Sequence, residues 1–354
     1  MTETFDHGGG VRSIRVPIPD NPLGYTLVYV VDTDRGPVLV DSGWDDPASW
    51  EVLNAGLAAC GTSVAEVCGV VVTHHHPDHH GLSGQVREAS GAWVAMHAAD
   101  AAIVRRTRET RPERWYAYMA AKLTVAGAPE EHVAPLRAAR GRRTFPGLSP
   151  ALPDREIVPG ELLDLPGRRL RAIWTPGHTP GHVCLHLEEE HPDRLPGSGR
   201  LFSGDHVLPE ITPHIGLYED PDDATVTDPP PVSASLDRGD PLGDYLDSLE
   251  RVGRLTPAEV LPAHQYAFTD APARVRQLLT HHEDRLTDLL ALLSEPLTPW
   301  QLAERMEWNR PWPDIPYPSR NIAVSEAEAH LRRLVKLGRA EPVAGGEPVA
   351  YVAV

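Results

Sequence analysis

Short apolar runs that end in polar or glycine-containing turns predict β-strands along the first 264 residues. Residues 26–31 and 37–40 flank a turn at 34–36 and are expected to pair. Residues 69–72, GVVV, form the short apolar run that is typical of a strand buried on both faces. The same pattern predicts further strands at 91–97, 169–174, 183–188, 200–205 and 259–264.

Helical periodicity and capping residues predict helices between and after these strands. One helix is expected to begin at Pro47, because Asp46 can cap its first turn and Gly61 can end it. Residues 98–150 predict a helical insert rich in arginine and alanine. Residues 219–242 are acidic and rich in proline, which predicts a mobile loop. Further helices are predicted at 243–252, 278–293, 297–306 and 325–341.

The composition changes near residue 275, which predicts a boundary between two domains. Residues 1–275 would form a larger α/β domain from the strands and helices above. Residues 276–354 contain three predicted helices and then a hairpin around Gly345 and Gly346. This order of elements resembles a winged-helix domain.

Charge and cysteine content narrow the class of protein. The 354 residues carry a formal net charge of −17, whereas nucleic-acid binders usually present a basic face. The cysteines, Cys60, Cys68 and Cys184, are few and have no CxxC spacing, which fits a reducing cytoplasm. The first 20 residues lack the pattern of a signal peptide, and no run has the length of a membrane span. We therefore expect a cytoplasmic protein without a membrane or nucleic-acid partner.

Residues 73–81, THHHPDHHG, concentrate five histidines and one aspartate directly after a predicted buried strand. On an extended segment His74 and His76 face the same side, so both can bind one metal ion. Asp78 and His79 follow on the turn and can face a second ion. Imidazole nitrogens with a carboxylate suit Zn²⁺, and Fe or Mn also remain possible.

Three other predicted strands also end in a side chain that can bind a metal: His178, Asp205 and His264. In layered α/β folds, functional sites form at the carboxyl ends of strands. His75 and His80 would then point elsewhere, as packing residues or as supports for the ligands. The four strand ends together predict a metal centre rather than a solvated histidine-rich loop.

These motifs resemble those of the metallo-β-lactamase superfamily over about residues 13–270. The H-x-H-x-D-H motif is HHHPDH here, and the third histidine lies in GHTPGH. The aspartate of SGD, the histidine of PAH and the early DSG at 41–43 follow in the family order. One departure is Gln265, where many members have glycine, which puts the wall of the site in doubt but not the ligand set.

The resemblance implies an αββα sandwich with a dinuclear zinc centre at one edge. The first ion would be bound by His74, His76 and His178, the second by Asp78, His79 and His264, and Asp205 would bridge them. A bridging hydroxide would attack an acyl carbonyl, because zinc lowers the pKa of bound water to about 7. Asp41, Thr73 and Thr179 would orient the ligands. The resemblance thus gives Asp78 and Asp205 catalytic roles.

Several roles stay open at this point. His182 is an alternative to His178 as the ligand, and His186 is expected to pack or to lie at the surface. We assign His214 a candidate catalytic role near the substrate, although a structural role competes. The role of His206 is left undecided. The segment 115–119 (Trp115, Tyr116, Tyr118 and Met119) would line an acyl pocket or pack within its helix.

The C-terminal region carries fewer signals. His281, His282 and Arg285 are expected to be solvated or to lie at a domain interface. Residues 307–321 are expected to cover the mouth of the site. The helix at 325–341 carries arginines and Lys336 but also three glutamates, which favours packing against the core over nucleic-acid binding.

The predicted activity is hydrolysis of a thioester, an acyl-CoA or acylglutathione-like compound, as in the hydroxyacylglutathione hydrolase-like branch that the chain resembles. A lactonase or other ester hydrolase is the first alternative. An endoribonuclease, which the net charge disfavours, and an iron-dependent persulfide dioxygenase follow. The expected partner is a small acyl substrate, and a homodimer remains possible.

Overall fold

The apolar runs form two packed β-sheets. The structure is a computed structural model that describes residues 3–109, 112–139, 150–195, 197–218, 239–346 and 348–354. The first sheet runs in chain order: β1 (Thr4–Asp6), β2 (Val11–Pro17), β3 (Tyr25–Val31), β4 (Val38–Val40), β5 (Gly69–Val71), β6 (Trp93–His97) and β7 (Arg155–Ile157). The second sheet contains β8 (Leu170–Trp174), β9 (Val183–Leu187), β10 (Arg200–Gly204) and β11 (Glu259–Pro262), in the order β11-β10-β9-β8. β1, β2 and β7 were not predicted from the sequence.

Strand direction changes within both sheets. β1 to β4 pair antiparallel, whereas β4 to β7 pair parallel. In the second sheet β8, β9 and β10 pair antiparallel, and β10 pairs parallel with β11. The carboxyl ends of the parallel strands β10 and β11 therefore lie side by side, which brings the segments after them together.

The two sheets pack face to face over an apolar core. The ring of Tyr29 in β3 meets Phe202 in β10 edge-on at 5.1 Å between centroids. The Tyr29 hydroxyl donates to the carbonyl of Pro262 at 2.7 Å, so its only polar atom is paired inside the core. Burying a side chain of this size stabilises the fold by about 1.5–3 kcal/mol. The core also includes Val11, Leu27, Val31, Val40, Leu170, Val183, Leu185, Leu187 and Leu261.

Helices cover the outer face of the first sheet. The helix α1 (Pro47–Ala59) begins where it was predicted, and the Asp46 side chain accepts from the Ala48 backbone N–H at 2.8 Å. A Cβ on Gly56 would lie 2.4 Å from Ile14 Cγ2, so glycine permits the close approach of α1 to β2. Beside it are α2 (Pro77–His80), α3 (Ser83–Ser90) and α4 (Ala98–Glu109). These layers confirm the predicted α/β architecture of packed sheets with outer helices.

The remaining elements are mostly helical. They are α5 (Pro112–Val125), α6 (Glu130–Ala138), α7 (Pro241–Gly253), α8 (Ala271–Leu292), α9 (Pro299–Arg305), α10 (Tyr317–Lys336) and a hairpin of β12 (Ala340–Pro342) with β13 (Tyr351–Ala353). Thr298 caps α9 in a reciprocal pair with Gln301. α10 begins at Tyr317, eight residues before the predicted start, because Pro316 supplies the extended residue that precedes a first turn.

Residue proximity divides the chain into two compact units whose bounds differ from the predicted 1–275 and 276–354. One unit contains residues 1–105, 144–213 and 247–276, and the other contains 106–143, 214–246 and 277–354. The insert 98–150 thus contributes most of its helices to the unit that contains the C-terminal tail. The winged-helix assignment stays a prediction. Of the loop predicted at 219–242, residues 219–238 lie outside the described part of the chain.

Among the described residues, we find no helix that is both long and apolar enough to cross a membrane.

Candidate metal centre

All seven predicted ligand residues lie in the first compact unit, each just beyond the carboxyl end of a strand. The segment after β5 provides His74, His76, Asp78 and His79, and the segments after β8, β10 and β11 provide His178, Asp205 and His264. Within the described residues, two groups bring ligand atoms within 4.8 Å of one another. We call His74, His76 and His178 the first cluster, and Asp78, His79 and His264 the second cluster.

The first cluster presents three ring nitrogens to one point. His76 Nδ1 lies 3.0 Å from His74 Nε2 and also 3.0 Å from His178 Nε2. Ligand atoms around a tetrahedral zinc ion lie about 3.3 Å apart, given Zn–N bonds of about 2.0–2.1 Å. Burial, with the neighbouring imidazoles, holds the pKa of His74 and of His76 well below its usual value. Both rings are therefore neutral and offer lone pairs to a metal ion.

Two atoms of the second cluster and one atom of Asp205 beside it are buried polar atoms without hydrogen-bond partners. These atoms are His79 Nε2, His264 Nε2 and Asp205 Oδ1. The two nitrogens lie 3.4 and 3.3 Å from this oxygen, and 3.5 and 3.3 Å from Asp78 Oδ2. Buried polar atoms are nearly always paired in native proteins, so a group of unpaired ones needs an explanation. A cation held between them would satisfy all three, and the donor set fits Zn²⁺.

Asp205 faces both clusters with different oxygens. Its Oδ1 points to His79 and His264, whereas its Oδ2 lies 3.5 Å from His178 Nε2 and 3.9 Å from His74 Nε2. A carboxylate in this position can contribute one oxygen to each of two ions. The geometry therefore fits the bridging role that the family resemblance implied.

The electrostatics of the second cluster also favour a cation. Burial alone would raise the pKa of the Asp205 carboxyl, but His264 and His79 hold it well below its usual value. Burial alone would lower the pKa of the His79 and His264 imidazoles. The carboxylates of Asp205 and Asp78 outweigh it, so that the pKa of His79 lies well above its usual value and that of His264 is about 10. The carboxylates thus require positive charge beside them, and protons or a metal ion can provide it.

Hydrogen bonds on the far side of the rings fix their orientation. His79 Nδ1 donates to Asp41 Oδ2 at 2.8 Å, and His264 Nδ1 donates to the carbonyl of Tyr25 at 2.9 Å. The Thr73 hydroxyl donates to Asp41 and lies 3.1 Å from His74 Nδ1. With a metal ion bound, the one ring proton would sit on Nδ1 in each case, and the Nε2 lone pair would face the ion. Asp41 has a φ of +62°, a strained conformation that aims its carboxylate at these partners.

The structure separates His182 from the ligand groups. His182 Nε2 accepts from the Asp205 backbone N–H at 3.2 Å, and its Nδ1 lies 2.8 Å from Thr175 Oγ1. Both ring nitrogens are therefore engaged, which argues against His182 as a replacement for His178. It supports the backbone of Asp205 instead. His186 points away, with Nε2 2.7 Å from the carbonyl of Ser198.

One contributor to the site, Asp100, has no signal in the sequence. It lies in the first turn of α4, is fully buried, and accepts from His75 and from Thr179. From the sequence alone, an isolated aspartate in an arginine-rich helix is predicted to be exposed to solvent. Only the packing of α4 against the two ligand segments distinguishes it.

Other predicted positions lie in the second compact unit. His214 Nδ1 is 3.2 Å from Glu326 Oε2, and the catalytic role predicted for His214 stays a prediction. Tyr118 is buried, whereas Trp115 and Tyr116 are half-buried, so the pocket role of segment 115–119 also stays a prediction. Of the two positions predicted for His282, the solvated one is wrong, because the ring is buried and its Nδ1 lies 3.1 Å from His330 Nε2, and the interface position stays a prediction.

His206 lies in the first compact unit and is fully buried. Burial lowers the pKa of its imidazole to about 3, so the ring is neutral. His206 directly follows Asp205 in the sequence, and it belongs to neither cluster.

Comparisons with known proteins show the family to which the chain belongs. Residues 21–264 match the Metallo-beta-lactamase superfamily. The Probable metallo-hydrolase YqjP of Bacillus subtilis (strain 168) is 25% identical over 324 residues, which are 91% of this chain and 91% of that protein. The Lactamase-like protein adaB of Aspergillus niger is 26% identical over 269 residues, 76% of this chain and 58% of that protein.

Solved structures give the same result over almost the whole chain. A metallo-beta-lactamase family protein from Thermus thermophilus has a TM-score of 0.73 at 30% identity and covers 98% of this chain and 99% of its own. A Beta-lactamase domain protein from Burkholderia ambifaria has a TM-score of 0.76 at 24% identity, covers 99% and 94%, and shows the fold. Since the family match over residues 21–264 covers more than half of the chain, this chain belongs to the metallo-beta-lactamase superfamily and is a metallo-hydrolase of that superfamily.

Proposed function

We propose that the protein is a dinuclear zinc-dependent hydrolase that cleaves the acyl C–S bond of a thioester, such as an acyl-CoA or an acylglutathione-like compound, by attack of water on the acyl carbonyl. The observation that carries the proposal is the position of Asp205, whose two oxygens face two separate groups of ligand atoms. A site for one ion would need only one of these groups.

The chain's own residues divide the work between binding and orientation. His74, His76 and His178 would bind one ion, and Asp78 and His79 with His264 would bind the other. When bound, the two ions would supply a water of pKa near 7 as the nucleophile and Lewis-acid stabilisation of charge on the carbonyl oxygen and the leaving group. Asp41 and the Tyr25 carbonyl keep Nε2 of His79 and of His264 directed inward.

Asp78 and Asp205 provide ionised carboxylates at the place where the nucleophile must lose a proton. Burial would raise the pKa of both carboxyls, but the neighbouring imidazoles of His79 and His264 lower it. Thr26 Oγ1 donates to Asp78 Oδ2 at 3.3 Å, which limits the rotation of that carboxylate. Both carboxylates therefore stay ionised and can bind metal ions, and the Thr26 hydroxyl helps to keep Asp78 in position.

The competing activities explain the same residues less completely. An iron-dependent persulfide dioxygenase needs one ion with open positions, which leaves the second cluster without a task. An endoribonuclease must attract a polyanion, and a net charge of −17 opposes this. A lactonase would use the same centre, and we favour a thioester because a thiolate leaving group is a good ligand for zinc.

The test measures thiol release from a panel of acyl-CoA and acylglutathione thioesters by full-length protein loaded with Zn²⁺. We expect release that a chelator abolishes and that added zinc restores. Asp154→Asn serves as a control, because Asp154 accepts from Arg87 and Val94 away from both clusters. Ring opening of lactones without any thiol release would replace the thioester by a lactone. Oxygen uptake by an iron-loaded sample would favour the dioxygenase.

A further inference from the structure

The carboxylate of Asp100 connects the two segments that carry the first cluster. Its Oδ2 accepts from the His75 backbone N–H at 2.9 Å, from His75 Nδ1 at 3.1 Å and from Thr179 Oγ1 at 2.8 Å. Its Oδ1 accepts from the Gly181 backbone N–H at 2.6 Å. Four hydrogen bonds from two separate segments therefore end on one side chain.

The donors are immediate neighbours of the ligands. His75 stands between His74 and His76, and Thr179 directly follows His178. A displacement of either donor moves a ligand on the same short stretch of backbone. The segment after β5 and the segment after β8 both donate to Asp100. The position of this carboxylate therefore influences the distance between the two segments.

The fit around this carboxylate is tight. Asp100 is fully buried, and a buried charge is tolerated only where hydrogen bonds replace its hydration. A Cβ on Gly181 would lie 2.5 Å from both the backbone nitrogen and Oδ1 of Asp100, so only glycine admits this approach. The arrangement leaves little freedom for the carboxylate or for the two segments.

The second cluster is held by other groups. Asp41 orients His79, and the Tyr25 carbonyl orients His264. No hydrogen bond among the described residues joins Asp100 to Asp78, His79 or His264. Asp205 and Asp41 are shared, since Asp41 also reaches His74 through the Thr73 hydroxyl, whereas the contacts of Asp100 lie beside the first cluster only.

We propose that Asp100 is a positioning residue that sets the spacing of His74 and His76 relative to His178 and thereby determines the metal affinity of the first cluster alone. The inference rests on the proposed dinuclear centre. Loss of a residue that orients metal ligands typically weakens metal binding about 10- to 100-fold. An asparagine at this position would present an N–H₂ group to a backbone or side-chain donor, so Asp100→Asn breaks the connection with almost no change in volume.

The test measures Zn²⁺ affinity by competition with a chromophoric chelator in two full-length backgrounds that retain one cluster each. In His264→Ala, which keeps the first cluster, Asp100→Asn should weaken binding about 10- to 100-fold. In His178→Ala, which keeps the second cluster, the same change should alter affinity less than about twofold. Asp154→Asn, a matched carboxylate-to-amide change, should leave both affinities unchanged.

Other outcomes separate failure of the inference from failure of the proposed function. Equal weakening in both backgrounds, or in neither, would overturn the role of Asp100. Failure of the otherwise unaltered protein to bind two zinc ions would instead remove the dinuclear centre itself. If Asp100→Asn does not fold, Thr179→Val removes one of the four bonds and should weaken the first cluster about 2- to 10-fold. No weakening by Thr179→Val would then overturn the inference.

Discussion

The first and second clusters share Asp205 but differ in charge. In the first cluster, burial and neighbouring imidazoles keep the pKa of His74 and of His76 well below its usual value. In the second, the carboxylates outweigh burial and raise the pKa of His264 to about 10. At neutral pH the first cluster therefore presents neutral rings, whereas the second presents a protonated ring beside carboxylates.

This difference shows two ways to prepare a metal site. The neutral rings of the first cluster offer lone pairs at once, so their spacing is what matters, and Asp100 controls it. In the second cluster a metal ion replaces protons that already carry the positive charge, so binding releases protons. Metal binding to the second cluster should accordingly depend more strongly on pH than binding to the first.

The largest effect is expected at the residue that joins the two clusters. Asp205→Ala removes an oxygen from both proposed sites, so kcat/KM for the best thioester should fall by at least about 10³-fold. Steady-state kinetics at saturating zinc would measure the loss, with circular dichroism to show that the protein stays folded. Activity near that of the unaltered protein would contradict a shared carboxylate.

An effect on both clusters is also expected from Asp41→Asn. Asp41 accepts from His79 Nδ1 and, through the Thr73 hydroxyl, also supports His74. Each of the two zinc affinities should fall about 10- to 100-fold, in contrast to the selective effect expected for Asp100→Asn. The same one-cluster backgrounds and chelator competition would measure it. A loss confined to the second cluster would show that Thr73 does not transmit the support.

The metal-free protein should lose stability as the pH rises above neutrality. The pKa of His264 is about 10 in the folded protein and ordinarily 6.5, so its protonation stabilises the fold fully below about pH 6.5. This contribution is lost as the pH rises through about 10. Thermal unfolding between pH 6 and 10, with and without zinc, would measure the trend. The stability of the zinc-loaded protein should not fall in this way as the pH rises, because the metal ion takes the place of the proton.

The smallest effect is expected from a substitution that lowers the stability of the fold and leaves the metal site unchanged. Asp46→Ala removes the side-chain acceptor at the start of α1 and should lower the free energy of unfolding by about 1 kcal/mol. Urea denaturation would measure this loss, and both zinc affinities should stay the same. A change in either affinity would mean that general loosening of the fold also alters the clusters, which would weaken the interpretation of the other variants.

The sequence predicted the strands that carry the ligands because their apolar runs are strong and end in polar residues. It missed β1, which is exposed, and β7, which is short. It also missed β2, because arginines interrupt the apolar positions Val11, Ile14 and Val16 and leave no continuous apolar run. It placed the start of α10 too late, since residues 307–321 have the proline-rich composition of a loop. Local composition thus predicted the strands that have continuous apolar runs well and the other strands poorly.

The choice between His178 and His182 could not be made from spacing. Both histidines occur in the same six-residue motif, and each follows a glycine. The structure decides the matter because both nitrogens of His182 contact Thr175 and the Asp205 backbone. Asp100 was missed for a related reason: its four donors come from residues far from it in the chain.

The sequence by itself determined the chemistry of the centre, because the spacing in residues 73–81 and the polar residues at strand ends are local features. The tertiary structure alone decided which oxygen of Asp205 faces which cluster and which carboxylate holds the ligand segments together. These facts depend on distances between segments that only sheet pairing and helix packing bring within a few ångströms. A hydrogen bond or a metal–ligand bond forms over about 2–3 Å, so small changes in packing control it and no local pattern encodes it.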